Sequence, residues 1–159
     1  MRIFYTFMSL AAAFFMTTVA HGVTLVEDGQ PVAVIVLPAE PSKQEQNAAE
    51  DLQTYLAKMS GAVVPIVHEP APTGNAIMIG RTAFAIKHVG DRLTREKLGH
   101  EGFVITTIGD RLVLVGMEVP YRVARTFLHS GSGTRHAVFD LLERLGCRFF
   151  AFHEDGEHV

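Results

Sequence analysis

The sequence predicts an α+β domain: a two-layer structure with a mixed β-sheet and two main helices packed on one face. Two segments carry helical hydrophobic periodicity with their own start and stop signals, Ser42 to Gly61 and Thr134 to Gly146. Two others read as hairpins, turning at Asp28-Gly29 and at Gly109-Asp110. Hairpins give antiparallel pairs, while helices between strands act as crossovers. A chain with both builds a mixed sheet rather than a purely parallel one.

The first residues read as a targeting segment. Arg2 supplies a positive start, Ile3 to Val19 is apolar or small without charge, and Thr18-Val19-Ala20 offers small side chains before a cut between Ala20 and His21. The apolar part is short for a membrane span of roughly 20 residues, so residues 1–20 are expected to be a secretory signal rather than an anchor. The remainder, expected secreted or periplasmic, has the length of one domain. The whole chain has a formal net charge of −3, and loss of Arg2 makes the remainder one unit more acidic. Lys and Arg are scattered, which argues against nucleic acid, whose phosphates need a basic surface. No membrane association is expected after the leader.

Val23 to Val26 and Pro31 to Leu37 read as strands, the second apolar on both sides and therefore interior. Ser42 and Glu45 fit a capping box, in which each side chain satisfies a backbone N–H of the other residue. Ala48, Leu52, Tyr55 and Met59 form an apolar stripe widened by Ala49 and Leu56, and Gly61 is placed to end the helix in the left-handed conformation. Val63 to Val67 is the next strand, and Pro65 confines it to an edge or a strand start. Ala76 to Ile79 is a short strand, and Arg81 to Leu98 holds one or two short helical pieces. Gly102 to Ile108 pairs with Arg111 to Gly116. Glu118 to Ser132 is an irregular excursion with room for a short helix near Tyr121 to Leu128. Ser132 or Thr134 caps the last helix, whose apolar face is Ala137, Val138, Leu141, Leu142 and Leu145. Cys147 to Phe152 forms the last strand, and residues 153–159 are a polar tail.

The candidate chemistry is sparse. Gly131-Ser132-Gly133 lacks the third glycine of a dinucleotide fingerprint, since His136 stands there; the glycines serve a tight turn. His136 and Asp140 lie one helical turn apart, but two groups alone make no metal site. His153, Glu154, Asp155, Glu157 and His158 give the tail a metal-like composition, of a kind that near a terminus is usually solvated. Cys147, the only cysteine, lies among apolar residues and reads as buried and structural. Glycoside hydrolysis needs two carboxylates about 5–9.5 Å apart. Among 17 carboxylates, Glu69 and Glu101 stand at strand ends, yet neither has an acidic partner by spacing. No catalytic, cofactor-binding or metal-binding residue and no cofactor is assigned.

Several segments together resemble a known domain type. They are Ala48-Ala49-Glu50-Asp51-Leu52-Gln53-Thr54-Tyr55-Leu56, Lys58-Met59-Ser60-Gly61, Val64-Pro65-Ile66-Val67 and Ile77-Met78-Ile79-Gly80, followed by Glu101-Gly102-Phe103-Val104-Ile105, Leu112-Val113-Leu114-Val115-Gly116, Gly133-Thr134 and Ala137 to Glu143. This resembles the N-terminal domain ahead of the barrel in α-glucuronidase-like proteins, in a related uncharacterised family of secreted bacterial proteins, and in β-hexosaminidases. The resemblance spans Val32 to Phe150. It implies an α+β domain docked on a (β/α)₈ barrel that carries the catalytic carboxylates. Such a barrel takes about 250 residues and is expected to lie outside this chain. The matched motifs carry no catalytic residue of those families, and Met117 to Ser132 is longer than the corresponding stretch in them. The expected role is therefore a non-catalytic accessory domain bracing a barrel, with a polysaccharide as further partner. The alternatives are a stand-alone carbohydrate-binding module, for which the chain offers no Trp, and a small self-contained glycosidase.

Overall fold

A computed structural model describes residues 22–118, 132–149 and 157–159 of the chain. The elements in order are β1 (Val26–Glu27), β2 (Gln30–Pro31), β3 (Val34–Leu37), α1 (Lys43–Ser60), β4 (Ile66–His68), β5 (Ala76–Ile79), α2 (Ala83–Val89), a 3₁₀ turn (Gly90–Arg92) and α3 (Arg95–Leu98). They continue with β6 (Phe103–Ile108), β7 (Arg111–Gly116), α4 (Gly133–Arg144), β8 (Arg148–Phe149) and β9 (Glu157–His158). The leader, the segment near Tyr121 to Leu128, and Phe150 to Gly156 lie outside the described residues.

The architecture is α+β around a mixed five-stranded sheet in the order β4-β3-β5-β7-β6. The four strands from β4 to β7 are mutually parallel, and β6 joins antiparallel to β7 at one edge. The hairpin expected across Gly109-Asp110 closes with Ile108 opposite Arg111, and Gly109 takes φ 60°. At the other hairpin Asp28 and Gly29 are both left-handed, with φ of 50° and 73°, as a two-residue loop that follows strand twist requires. This ribbon stands apart from the main sheet. The expected single strand from Pro31 to Leu37 is thus two: the amide of Val32 donates to Leu25 O at 3.0 Å, the chain bends at Ala33, and only Val34–Leu37 enters the sheet. Likewise the predicted Val63 to Val67 strand starts only after Pro65, at Ile66, on the edge where a proline is tolerated.

Both long helices pack on one face, as the hydrophobic stripes predict. Ala48, Ala49, Leu52, Tyr55 and Leu56 from α1 meet Ala137, Val138 and Leu142 from α4 over Ile35, Leu37, Ile77, Ile79 and Leu114. The opposite face is apolar too. Val36, Met78, Val113 and Val115 pack there against Ala85 and Val89 of α2 and against Leu93, so the short helical pieces cover a second core. Every residue of β5 is fully buried because it is the central strand with cover on both sides.

Two apolar assignments are corrected. Leu145 is 43% exposed and Met59 39% exposed, because each sits in or beyond the last turn of its helix, past the sheet. The Sγ of Cys147, itself fully buried, lies 3.6 Å from Met59 Sδ. Near the end of the chain β9 pairs antiparallel with β8, Arg148 opposite His158 and Phe149 opposite Glu157.

A glycine contact seats α4 on the sheet. A Cβ at Gly133 would lie 2.6–2.8 Å from Gly102 O, Met117 N and Met117 O. One at Gly116 would come within 2.2–2.5 Å of Gly133 and Thr134 backbone atoms. The close approach lets the amide of Gly133 donate to Met117 O at 2.8 Å and that of Gly116 to Thr134 Oγ1 at 3.1 Å. Gly90, in contrast, has right-handed φ and ψ, and a Cβ there meets only Ile86 Cγ2 at 3.5 Å. Gly133→Ala is therefore expected to lower stability by about 2–3 kcal/mol, whereas Gly90→Ala raises it by about 0.4–1 kcal/mol. Urea unfolding of the two variants beside the parent protein measures both signs.

Candidate functional site

In open sheets of parallel strands, ligands characteristically lie beyond the carboxyl ends of the strands, where neighbouring connections leave toward opposite faces. Here that point lies between β3 and β5. The chain leaves β3 to form α1 on one face and leaves β5 to form α2 on the other. The N-termini of α1, α2 and α4 all follow carboxyl ends of these strands, which concentrates unpaired backbone N–H groups there.

Carboxylates occupy those groups. Glu45 is the third residue of α1 and is buried, 5% exposed. Its Oε2 accepts from the amide of Ser42 at 2.8 Å while Ser42 Oγ accepts from the amide of Glu45 at 3.2 Å, which completes the predicted capping box. The same side chain reaches across the crevice, where Oε1 accepts from the amide of Arg81 at 2.7 Å. It fills the space a Cβ on Gly80 would need, and Gly80 is left-handed at φ 77°. Glu69 takes the N-terminus of α2: its two oxygens lie 2.9 and 3.0 Å from the amide of Ala83, while Thr82 Oγ1 accepts from Ala85. Glu118 takes α4, its Oε1 accepting from Ser132 Oγ at 3.0 Å and from the amide of Thr134 at 3.3 Å. Ser132, not Thr134, is the N-cap.

The residues nominated from sequence are not brought together. Glu69 follows β4 and Glu101 precedes β6, so both stand at the same end of the sheet but at its opposite edges. Four strand spacings of about 4.8 Å separate them by roughly 19 Å, well beyond the range in which two carboxylates act on one glycosidic bond. His136 is exposed, and Asp140 pairs with Arg144 at 2.7 Å instead. Ser132 and Gly133 of the glycine-containing loop serve the α4 cap and its seat on Met117, while Gly131 lies outside the described residues. Of the metal-like tail, residues 153–156 lie outside them as well. Among the described residues no three His, Cys, Asp or Glu side chains group to hold a metal ion, and no helix is long and apolar enough to cross a membrane.

Tyr55 is core, as predicted, and is the hub of a ring cluster. Its centroid lies 5.2 Å from Phe149 and 6.1 Å from Phe139, both edge to face. Lys58 Nζ lies 4.8 Å from the Tyr55 centroid, and Arg135 stacks over Phe139 while its Nε pairs with Asp51 at 2.6 Å. A shallow pocket of about 340 Å³ opens beside this cluster, lined by Asp140, Glu143, Arg144, Arg148 and Phe149. Arg148 donates to the carbonyls of Glu143 and Cys147, so its guanidinium closes the C-terminal end of α4.

Sequence reasoning found Glu45 as a cap but not its bond to Arg81, and it missed Glu118. The first joins residues far apart in the chain, and nothing local marks the second. No protein-family model and no curated protein matches the chain.

If these carboxylates are ties between elements, their removal acts on stability in proportion to burial. Glu45→Ala leaves two donors without their acceptor and is expected to cost about 3 kcal/mol. Glu69→Ala at the half-buried α2 cap is expected to cost about 1 kcal/mol. Thermal and urea unfolding of the two variants rank them.

Proposed function

We propose that this chain is a non-catalytic accessory domain of a secreted or periplasmic carbohydrate-active protein, with the role of bracing or orienting a (β/α)₈ catalytic barrel. The reading rests on the resemblance of Val32 to Phe150 to domains that precede such barrels. The observation that carries it is the use of carboxylates at the carboxyl ends of the strands. Glu45, Glu69 and Glu118 each accept hydrogen bonds from the start of a helix, which suits a scaffold. A glycosidase instead needs two opposed carboxyl groups with a sugar between them, and the separation of Glu69 from Glu101 speaks for the scaffold.

The purified protein is expected to turn over no aryl glycoside and to give no heat with oligomers of xylan, chitin or glucuronic acid. Turnover abolished by Glu69→Gln or Glu101→Gln would overturn the proposal in favour of a self-contained glycosidase. Saturable heat without turnover would make the chain a carbohydrate-binding module.

A further inference from the structure

The two edges of the main sheet are protected unequally. The β4 edge is three residues long and directly follows Pro65, features that discourage pairing with another chain. The β6 edge has neither. Its six residues, Phe103-Val104-Ile105-Thr106-Thr107-Ile108, carry no charge, proline or glycine and are all aromatic, β-branched or both apolar and branched. That is the composition that favours strand pairing.

The register fixes which backbone groups face outward. Ile108 opposes Arg111 across the two-residue loop, Thr106 opposes Val113 and Val104 opposes Val115. On β7, the carbonyls of Asp110 and Leu114 accept from β5-side amides of Ala76 and Gly80, so Arg111, Val113 and Val115 turn toward β6. Their partners Val104, Thr106 and Ile108 therefore use their N–H and C=O groups on β7, because direction alternates along a strand. Phe103, Ile105 and Thr107 point theirs away from the sheet. None of these three makes another hydrogen bond among the described residues.

We propose that this edge pairs with the β6 edge of a second copy of the chain, antiparallel and centred on Ile105. In that register Ile105 opposes Ile105 of the other copy and Phe103 opposes Thr107 in both directions. The outward groups of all three residues then find partners in hydrogen-bonded pairs. Aromatic and β-branched side chains meet across the seam, which favours pairing, and no like charges are opposed within it. The segment is thus complementary to itself, which a two-fold interface demands. The two sheets become one continuous sheet ending in two short β4 edges, so assembly stops at the dimer. A seam of one strand pair is at the small end of interfaces, and the association is expected at micromolar rather than nanomolar concentrations.

The test is sedimentation equilibrium of the purified protein over a concentration series, joined to amide hydrogen exchange at its two ends. A monomer–dimer equilibrium is expected, with the amides of Phe103, Ile105 and Thr107 protected only at high concentration and those of Val104, Thr106 and Ile108 protected throughout. Thr107→Pro removes an outward N–H without touching the ladder to β7 and is expected to weaken the dimer at least about tenfold. Thr107→Lys, which keeps the backbone and sets a charge on the seam, is expected to do the same and serves if the proline variant does not fold. A monomer at every concentration up to about 1 mM, larger open-ended species, a dimer with those three amides unprotected, or folded Thr107 variants that associate like the parent would each overturn the proposal.

Discussion

The buried carboxylate of Glu45 is the constraint on which the arrangement of this domain turns. It is one side chain with two obligations: it closes the first turn of α1 on Ser42 and holds the amide of Arg81 where the chain leaves the central strand. A carboxylate 5% exposed is tolerable only because its oxygens are hydrogen-bonded. Those bonds fix α1 relative to β5 at the point where connections diverge to opposite faces. Gly80 belongs to the same device, since any side chain there would compete with Glu45 for one volume. The helix cap, the buried charge and the glycine are therefore one feature and not three.

The same economy recurs at the other helix starts. Glu69 serves α2 and Glu118 serves α4, so the end of the sheet that in many folds receives a ligand is here occupied by the protein's own acids. A carboxylate held against backbone amides ties the loops around it to the helix it caps. This favours a body that presents a fixed shape to another domain, and it bears directly on the proposed accessory role.

Much of this was legible in the sequence because it is local. Ser42 with Glu45 and the left-handed Gly61 bracket α1, and the two hairpin dipeptides stand at their turns. Pro65 correctly pointed to an edge. The alternation of hairpins with capped helices was enough for the α+β class and for two long helices on one face. What was not legible depends on contacts between distant segments. The bend at Ala33 splits a run that looks continuous, because the ribbon and the main sheet compete for its two halves. The second core, under α2 and Leu93, could not be inferred from a stretch whose apolar residues are too few for a clear period. In the sequence Gly133 reads only as a turn residue and Gly116 as the end of a strand, and the tertiary approach of α4 to β7 gives the two a common cause. Of the candidate site, the sequence supplied the acids at the strand ends and the structure supplied their separation.

The junction beneath α4 ties the end of β7 to the start of that helix. Glu118 and Ser132 face each other as an antiparallel bridge, and their side chains are hydrogen-bonded. The ends of the intervening stretch are thus pinned by the sheet and the helix rather than by its own length. Whatever parts Glu118 from Ser132 must therefore also loosen the first turn of α4 from the strand below it, so the bridge, the cap and the seat of the helix come undone together.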